Sequence, residues 1–453
     1  MRVEQSAAAH AEATRRLPLD GVAGALLLVY VCLLPIHWSP LPFNLQWADV
    51  VFPLLLLVTV ASRPVFRLTS LDLLVVAYVV AALPSFLVTP DVRASSVQFA
   101  KDVYMAGLYV VVAIVASRID VVARVAGAVA WISAIIAVVC LAALALFYGA
   151  GVVVPRLGYS LPVPYVGEFY RLYGTFPSPE YLVNFLVFAA PFALTLWWMA
   201  PSRRGRGAWL LVLAAMVSTA LGAIAHGIVG LCAALTYNLG AAWRGPIAAH
   251  DSAALRRAGI VLLTTATVVL TIAVNVLLVF AIRDVRIVQS RDASVGAPAY
   301  THALHDPAGA SKMSVEVTYD VMAYWLLKQV AWRAFLEHPA SGAGLASLHQ
   351  ATRRAEAEGR IPQGHGDDDP HSTWFGRLGE TGLIGTVTLV ALCAGVWMHA
   401  RRTIQAGGAA GALAVPFVAG LIGIAVNSLN VDAMHFRFVW IALGALRALA
   451  PVA

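Results

Sequence analysis

The chain has 453 residues, of which 60% are hydrophobic and only 12% are charged. With a mean hydropathy of +0.78, this composition excludes a soluble globular protein and indicates a polytopic membrane protein. The net charge of +7 is attributed to arginines in cytoplasmic loops, so no nucleic acid partner is expected. The four cysteines lie inside apolar runs and predict neither a disulfide framework nor a metal site.

Apolar runs along the chain predict the membrane spans. Residues 1–20 are polar and are interpreted as a cytoplasmic tail, and the first run is interpreted as a retained span, not a cleavable signal. The sequence therefore predicts an all-α polytopic membrane protein with about twelve transmembrane helices. These spans are predicted at residues 21–38, 45–62, 70–88, 97–117, 122–149, 178–200, 207–222, 225–243, 258–282, 383–399, 411–427 and 434–450.

The arginines indicate the orientation of these spans. They gather in alternate connections, whereas the short turns at 39–44, 219–225 and 428–433 carry none. Because positive charge is retained in the cytoplasm, both termini are predicted to be cytoplasmic. Two longer loops, 150–177 and about 284–370, are then predicted on the outer side.

The chain divides accordingly into four predicted regions. The tail over 1–20 precedes nine spans over 21–283, the large outer loop covers 284–370, and a last region over 371–453 holds three spans. Within the large loop, residues 316–337 carry apolar side chains at helical spacing and a polar line opposite them. This pattern predicts an amphipathic helix at the outer membrane–water interface.

A helix is also predicted to begin at the end of the large loop. Asp369 is a suitable N-cap and Pro370 suits the first helical position, which would put His371 in the first turn. A neutral histidine beside the anion-binding end of a helix has the properties of a general base for attack on a phosphate-activated carbon. Glycines then recur at every third residue and predict the close approach of another backbone or a lipid. They stand at 376, 379, 382 and 385.

This segment resembles the membrane O-antigen ligases and related polysaccharide polymerases. Their signature is His, then Asn, Ser or Gln, nine residues, Gly, two residues and Gly, and His371-Ser372, Gly382 and Gly385 fill every position. Residues 171–176, Arg-Leu-Tyr-Gly-Thr-Phe, resemble another family segment, with Glu180 where asparagine is more usual. Residues 338–344, His-Pro-Ala-Ser-Gly-Ala-Gly, resemble the family's His-Pro-x-x-Gly-x-Gly turn.

The resemblance implies a glycosyltransferase with a GT-C-like architecture at the periplasmic face of the bacterial inner membrane. The donor would be a glycan linked to undecaprenyl pyrophosphate, and the acceptor a sugar hydroxyl of lipid A–core oligosaccharide. His371 would act as the general base in a single displacement, which implies inversion at the sugar carbon. The family is regarded as independent of metals and cofactors, so none is expected.

Several cations are candidates for binding the donor pyrophosphate, since guanidinium groups pair with phosphate oxygens. Arg171 ranks first, although an interfacial arginine reaching headgroups is an equal alternative. Lys101 either reaches a phosphate or pairs with the neighbouring Asp102. Arg333 and Arg377 are weaker candidates, each alternatively a solvated or lipid-facing charge. His226 stands where many family members have an arginine.

A metal site is a rival interpretation of residues 365–371, His-Gly-Asp-Asp-Asp-Pro-His. Three adjacent aspartates cannot all face one ion from a regular helix, so a solvated acidic stretch is favoured. Three other functions stay open as alternatives. A polymerase would use the same donor with a second lipid-linked repeat as acceptor, a protein O-oligosaccharyltransferase would use a protein acceptor, and a twelve-span transporter would carry out no transfer.

Overall fold

The computed structural model describes residues 21–37, 46–62, 66–163, 167–223, 227–243, 280–290, 302–305, 312–321 and 323–450. Helices make up most of this part of the chain. They are α1 (Gly21–Leu33), α2 (Trp47–Ala61), α3 (Ser70–Val80), α4 (Val92–Val115), α5 (Ile119–Ala150), α6 (Pro179–Met199), α7 (Arg203–Gly222), α8 (Ile228–Trp243), α9 (Ala323–Glu337), α10 (Leu348–Ala357), α11 (Thr373–Ala406), α12 (Gly408–Asn427) and α13 (Arg437–Ala448).

Seven helical segments of the described chain are long and apolar enough to cross a membrane. They are α4, α5, α6, α7, α11, α12 and the segment Ser70–Leu87, in which a short 3-10 turn continues α3. The prediction of a polytopic membrane protein is thereby confirmed in its coarse form. The number of twelve stays a prediction, because α1, α2 and α8 are shorter apolar helices and most of the predicted span 258–282 lies outside the described residues.

Helix α6 lies at the centre of the bundle, with 72% of its apolar stretch buried, compared with 22% for α7. It packs against α5, α7, α8 and α12. Small residues allow α8 and α12 to approach closely, since a Cβ on Gly230 would lie 2.4 Å from the Gly423 carbonyl oxygen. At the end of α12, the Asn427 amide donates to Asn184 Oδ1 of α6 over 3.0 Å. This contact fixes the turn that follows α12.

Three buried arginine–aspartate pairs join the last helices to the first ones. Arg437 of α13 pairs with Asp49 of α2 at 2.5 Å, Arg447 of α13 with Asp72 of α3 at 3.2 Å, and Arg377 of α11 with Asp102 of α4 at 2.7 Å. Charges inside a membrane protein are stable only when paired in this way. The pairs therefore hold α11 and α13 against α2, α3 and α4.

The all-α prediction is wrong for the two loops predicted on the outer side, which contain strands. In the first loop, β1 (Gly158–Val163) pairs antiparallel with β2 (Gly167–Leu172), which sets Tyr159 opposite Arg171. The second loop holds a three-stranded antiparallel sheet in the order β3-β5-β4. Its strands are β3 (Phe280–Ser290), β4 (His302–His305) and β5 (Lys312–Val321).

The predicted amphipathic helix over 316–337 is also corrected. Residues up to Val321 belong to β5, and the helix α9 begins only at Ala323. The reason is visible in the residues, because Val315, Val317, Tyr319 and Val321 alternate with polar neighbours. A two-residue period of β-branched and aromatic side chains favours a strand over a helix.

Candidate active site

The start of α11 differs from the prediction by several residues. Ser372, not Asp369, is the N-cap, and its hydroxyl accepts from the backbone N–H of Phe375. Asp369 instead accepts from the backbone N–H of His371 over 2.7 Å and so closes the turn before the helix. A serine hydroxyl and an aspartate carboxylate are both good caps, and here each caps its own turn. His371 therefore lies just outside the helix.

The backbone of His371 is strained. Its φ is +44°, and it is one of two non-glycine residues with positive φ in the described part of the chain. Such a conformation costs on the order of 1–3 kcal/mol and persists only where the surroundings impose it. The strain marks His371 as a position where the direction of the side chain is enforced.

Two groups surround the His371 imidazole. Nδ1 lies 3.4 Å from Asp369 Oδ1, and the ring of Tyr324 stands edge-on, 4.4 Å away between centroids. The nearby carboxylate favours a proton on Nδ1, which leaves the lone pair of Nε2 free to accept another proton. The side chain is 37% exposed. The arrangement thus has the parts of an accessible, oriented general base.

The glycine motif performs a structural task beside this histidine. Gly382 adopts φ +62° and breaks α11 into two helical pieces. The backbone groups freed by this kink bond to the turn 338–344. The four bonds are Ala343 N to Gly379 O at 2.8 Å, Gly344 N to Glu380 O at 3.1 Å, Leu383 N to Pro339 O at 2.9 Å and Ile384 N to Ala340 O at 3.3 Å.

These contacts require glycine on both sides. A Cβ on Gly382 would lie 2.4 Å from the Ala340 oxygen, and one on Gly342 would lie 2.2 Å from the Glu380 carbonyl carbon. Real Cβ atoms do not approach so closely. The glycines predicted the close approach of a backbone or a lipid to this helix, and the structure shows a backbone, that of the turn 338–344. The segments 338–344 and 371–385 therefore form one packed unit. A Cβ on Gly385 would meet the Thr381 side chain at 1.8 Å.

Arg171 donates hydrogen bonds to at least three groups of the described residues. It donates to Tyr159 Oη over 2.9 Å, to the Ala223 carbonyl over 3.0 Å and to Glu180 Oε1 over 2.8 Å. Glu180 lies in the first turn of α6, one position after Pro179. The glutamate that replaces the family's usual asparagine is thus the ionic partner of this arginine, and 22% of the Arg171 side chain stays exposed.

The charges of the Arg171–Glu180 pair act on Tyr324, the residue whose ring contacts His371. Burial raises the pKa of the Tyr324 hydroxyl, the charges of Glu180 and Asp368 raise it further, and the charge of Arg171 lowers it. Tyr324 in turn contacts the His371 ring. Tyr324 therefore experiences the charges of Arg171 and Glu180 and contacts the residue that precedes α11.

The other predicted cations are placed differently. Arg377 is buried with its guanidinium on Asp102 and on the Tyr78 hydroxyl, and it lies over the Tyr78 ring at 4.3 Å. Lys101 is exposed on α4 beside Asp102, which pairs with Arg377. Arg333 is exposed on α9, nine residues after Tyr324 and hence on the opposite helix face. His226 lies outside the described residues.

A cavity of about 370 Å³ opens beside the start of α11. Its wall includes residues on both sides of His371 in the sequence and charged groups of α11 and of the turn between α12 and α13. Those residues are Asp369, Pro370, Ser372, Thr373, Arg377, Glu380, Asp432 and His435. The cavity is thus built from α4, the segments 345–353 and 367–370, the start of α11 and the turn after α12.

Asp432 and His435 form an ion pair at 2.9 Å that the sequence did not predict. The negative charge of Asp432 raises the pKa of His435 to about 9. Burial acts to raise the pKa of Asp432, but the His435 and Arg377 charges outweigh it and hold that pKa well below its usual range. The sequence feature that could have indicated this ion pair is the concentration of polar residues in the short turn between α12 and α13.

The aspartates of the acidic stretch have separate partners. Asp367 pairs with Arg353, Asp368 with His365 at 2.6 Å, and Asp369 caps the turn at His371. In the part of the chain that the structure describes, no group of three or more His, Cys, Asp or Glu side chains is placed to hold a metal ion.

Fold and site together define a membrane-embedded helical protein with a polar cluster at the ends of several helices. No protein-family model matches the chain, and a search of curated proteins returns no significant match. The resemblance to O-antigen ligases therefore rests on the motif residues alone.

Proposed function

We propose that the protein is an O-antigen ligase. It would transfer glycan from undecaprenyl pyrophosphate to a sugar hydroxyl of lipid A–core at the periplasmic face of the inner membrane, with both termini in the cytoplasm. The observation that carries the proposal is the oriented, strained His371 between Asp369 and Tyr324. Two further segments resemble the family separately: 338–344 bonds to α11 at the Gly382 kink, and the charges of Arg171 and Glu180 act on Tyr324, which contacts His371.

In the proposed reaction the acceptor hydroxyl gives its proton to Nε2 of His371 while its oxygen attacks the anomeric carbon. The bond from that carbon to the pyrophosphate oxygen breaks, and undecaprenyl pyrophosphate leaves with the electron pair. A single displacement inverts the configuration at the sugar carbon. The Asp369 carboxylate stabilises the imidazolium that forms, as an aspartate does in a catalytic triad, and Arg171 is the cation that we assign to the growing negative charge on the pyrophosphate.

The polar cavity beside Ser372 and Thr373 is the place we assign to the acceptor sugar. Its carboxylates and imidazole offer acceptors and donors to sugar hydroxyls, and it adjoins the residues that flank His371. A second lipid-linked repeat unit, the acceptor of a polymerase, would present the same hydroxyl chemistry. The acceptor therefore has to be tested directly.

The test is transfer in vitro with purified protein, lipid-pyrophosphate-linked glycan and lipid A–core, in the presence of chelator. We expect His371→Ala to abolish transfer. His399→Ala is the matched control, because His399 lies near the far end of the same helix and contacts the Leu446 carbonyl. Transfer that survives His371→Ala would refute the assignment of the base, and product growth without lipid A–core would identify a polymerase.

The side of the membrane is tested separately by cysteine labelling at position 371 in intact vesicles of known orientation. A membrane-impermeant reagent should react from the periplasmic side alone. Reaction from the cytoplasmic side would overturn the proposed orientation and, with it, the access of a periplasmic donor.

A further inference from the structure

Lys328 is a lysine of α9 whose side chain is buried, with 8% of the residue exposed. Its ammonium group donates to Asn430 Oδ1 over 2.6 Å. Lysine is seldom buried without a carboxylate partner, because removing an unpaired charge from water costs several kcal/mol. The surroundings of Lys328 therefore need an explanation.

No carboxylate compensates this charge among the side chains that the structure describes. Asn430 supplies a neutral amide oxygen, which accepts one of the three N–H groups of the ammonium. Burial lowers the pKa of Lys328 to about 8, and no neighbouring charge shifts it back. Within the described part of the chain Lys328 is thus a buried cation without a counter-charge, and such a group is characteristic of a site that receives an anion.

The position of Lys328 on α9 connects it with His371. Lys328 follows Tyr324 by four residues, so the two side chains lie on one face of the helix. The Tyr324 ring contacts His371, 4.4 Å between centroids. Arg333, in contrast, lies on the opposite face and is exposed.

The partner of Lys328 belongs to the turn that anchors α11. In this turn the carbonyls of Ser428 and Val431 accept from the backbone N–H of Thr373, at 3.0 and 3.2 Å. Thr373 is the first residue of α11, where the helix dipole adds positive potential. Through Asn430 and Tyr324, Lys328 is therefore connected with both segments that position the start of α11 and His371.

We propose that Lys328 binds the pyrophosphate group of the polyprenyl pyrophosphate donor. The identification of the donor rests on the proposed function, whereas the anion site rests on the burial and contacts of Lys328. During transfer the ammonium would hold the oxygen from which the anomeric carbon departs, where negative charge grows. In this way a lysine of α9 would supply a second cation besides Arg171.

The experiment measures the binding of inorganic pyrophosphate and of farnesyl pyrophosphate to the full chain in nanodiscs by calorimetry. We expect Lys328→Met to weaken farnesyl pyrophosphate binding about 10- to 100-fold, the range for losing a charged hydrogen bond. Lys328→Arg should stay within about threefold, since it keeps the charge. The control is Arg93→Gln, which removes an exposed cation near the start of α4.

Tighter binding of farnesyl than of inorganic pyrophosphate, lost in Lys328→Met alone, would support the proposal. Binding of both compounds that ignores Lys328 would overturn it. If Lys328→Met does not fold, acylation of wild-type Lys328, followed by mass spectrometry, answers the same question. Farnesyl pyrophosphate should protect the amine, and unchanged acylation would overturn the proposal.

These outcomes separate this inference from the proposed function. Glycan transfer that depends on His371, combined with binding indifferent to Lys328, would refute the lysine site and leave the ligase standing. Lys328-dependent binding without any glycan transfer would support the lysine site and refute the proposed ligase activity.

Discussion

The ring of Tyr324 stands edge-on to the imidazole of His371, with the ring planes at 74° and the centroids 4.4 Å apart. This contact ties α9, which follows the sheet of β3, β4 and β5, to the turn that precedes α11. The contribution of Tyr324 to His371 is steric: the ring limits the directions that the imidazole can take.

Replacing this ring should slow transfer. We expect Tyr324→Ala to lower kcat about tenfold, because the imidazole gains freedom that has to be lost again in each turnover. Tyr324→Phe keeps the ring and should leave kcat nearly unchanged. Steady-state transfer assays with both variants test this. A phenylalanine variant as slow as the alanine variant would show that the hydroxyl matters instead of the ring.

The Asp369 carboxylate should matter for its charge as well as for its cap. Asp369→Asn keeps an oxygen that accepts from the His371 N–H, but it removes the negative charge that stabilises the imidazolium. We expect kcat to fall about tenfold or more with little change in KM. Glu358→Gln, in a surface pair with Arg360, is the control and should be without effect. An unchanged kcat in Asp369→Asn would leave the aspartate with a purely structural role.

The Gly382 kink predicts an unusual sensitivity to a single methyl group. Gly382→Ala combines positive φ with a collision at the Ala340 oxygen, and we expect it to destabilise the protein by about 3 kcal/mol. Gly127→Ala in α5 meets nothing within 4 Å and should be neutral or stabilising by roughly 0.5–1 kcal/mol. Thermal unfolding in detergent distinguishes them. Equal stability of the two variants would contradict the role of the kink.

The Asp432–His435 pair predicts that stability depends on pH. Because the folded pKa of His435 is raised from 6.5 to about 9, its contribution is complete below pH 6.5 and is lost as the pH rises through 9. The His435 side chain is 41% exposed, so solvent screening limits the effect to about 1 kcal/mol.

Melting temperatures between pH 6 and 10 measure this loss. His435→Gln should flatten the dependence, since it removes the titrating group. A wild-type melting temperature that stays constant across this range would contradict the ion pair.

Hydropathy was sufficient to predict the membrane class, because apolar runs of span length leave little alternative. The sequence did not decide which of two suitable residues caps α11: Ser372 does, although Asp369 is an equally suitable residue type. The predicted helix over 316–337 also included residues that belong to β5, because strand and helix patterns adjoin there. His371 was chosen as a candidate through its spacing to Gly382 and Gly385. Lys328 was not, because its significance depends on its burial and on Asn430, 102 residues further along the chain.

The three arginine–aspartate pairs have a consequence for how this chain is made. Each aspartate is synthesised 275 to 388 residues before its arginine, a delay of roughly 15–80 s at ribosomal speed. During that interval Asp49, Asp72 and Asp102 wait without their eventual counter-ions. During biogenesis these carboxylates therefore have to be protonated or bound by a chaperone until the last helices are inserted. A ribosome stalled before Arg377 would leave an insertion intermediate in which three aspartates lack their arginine partners.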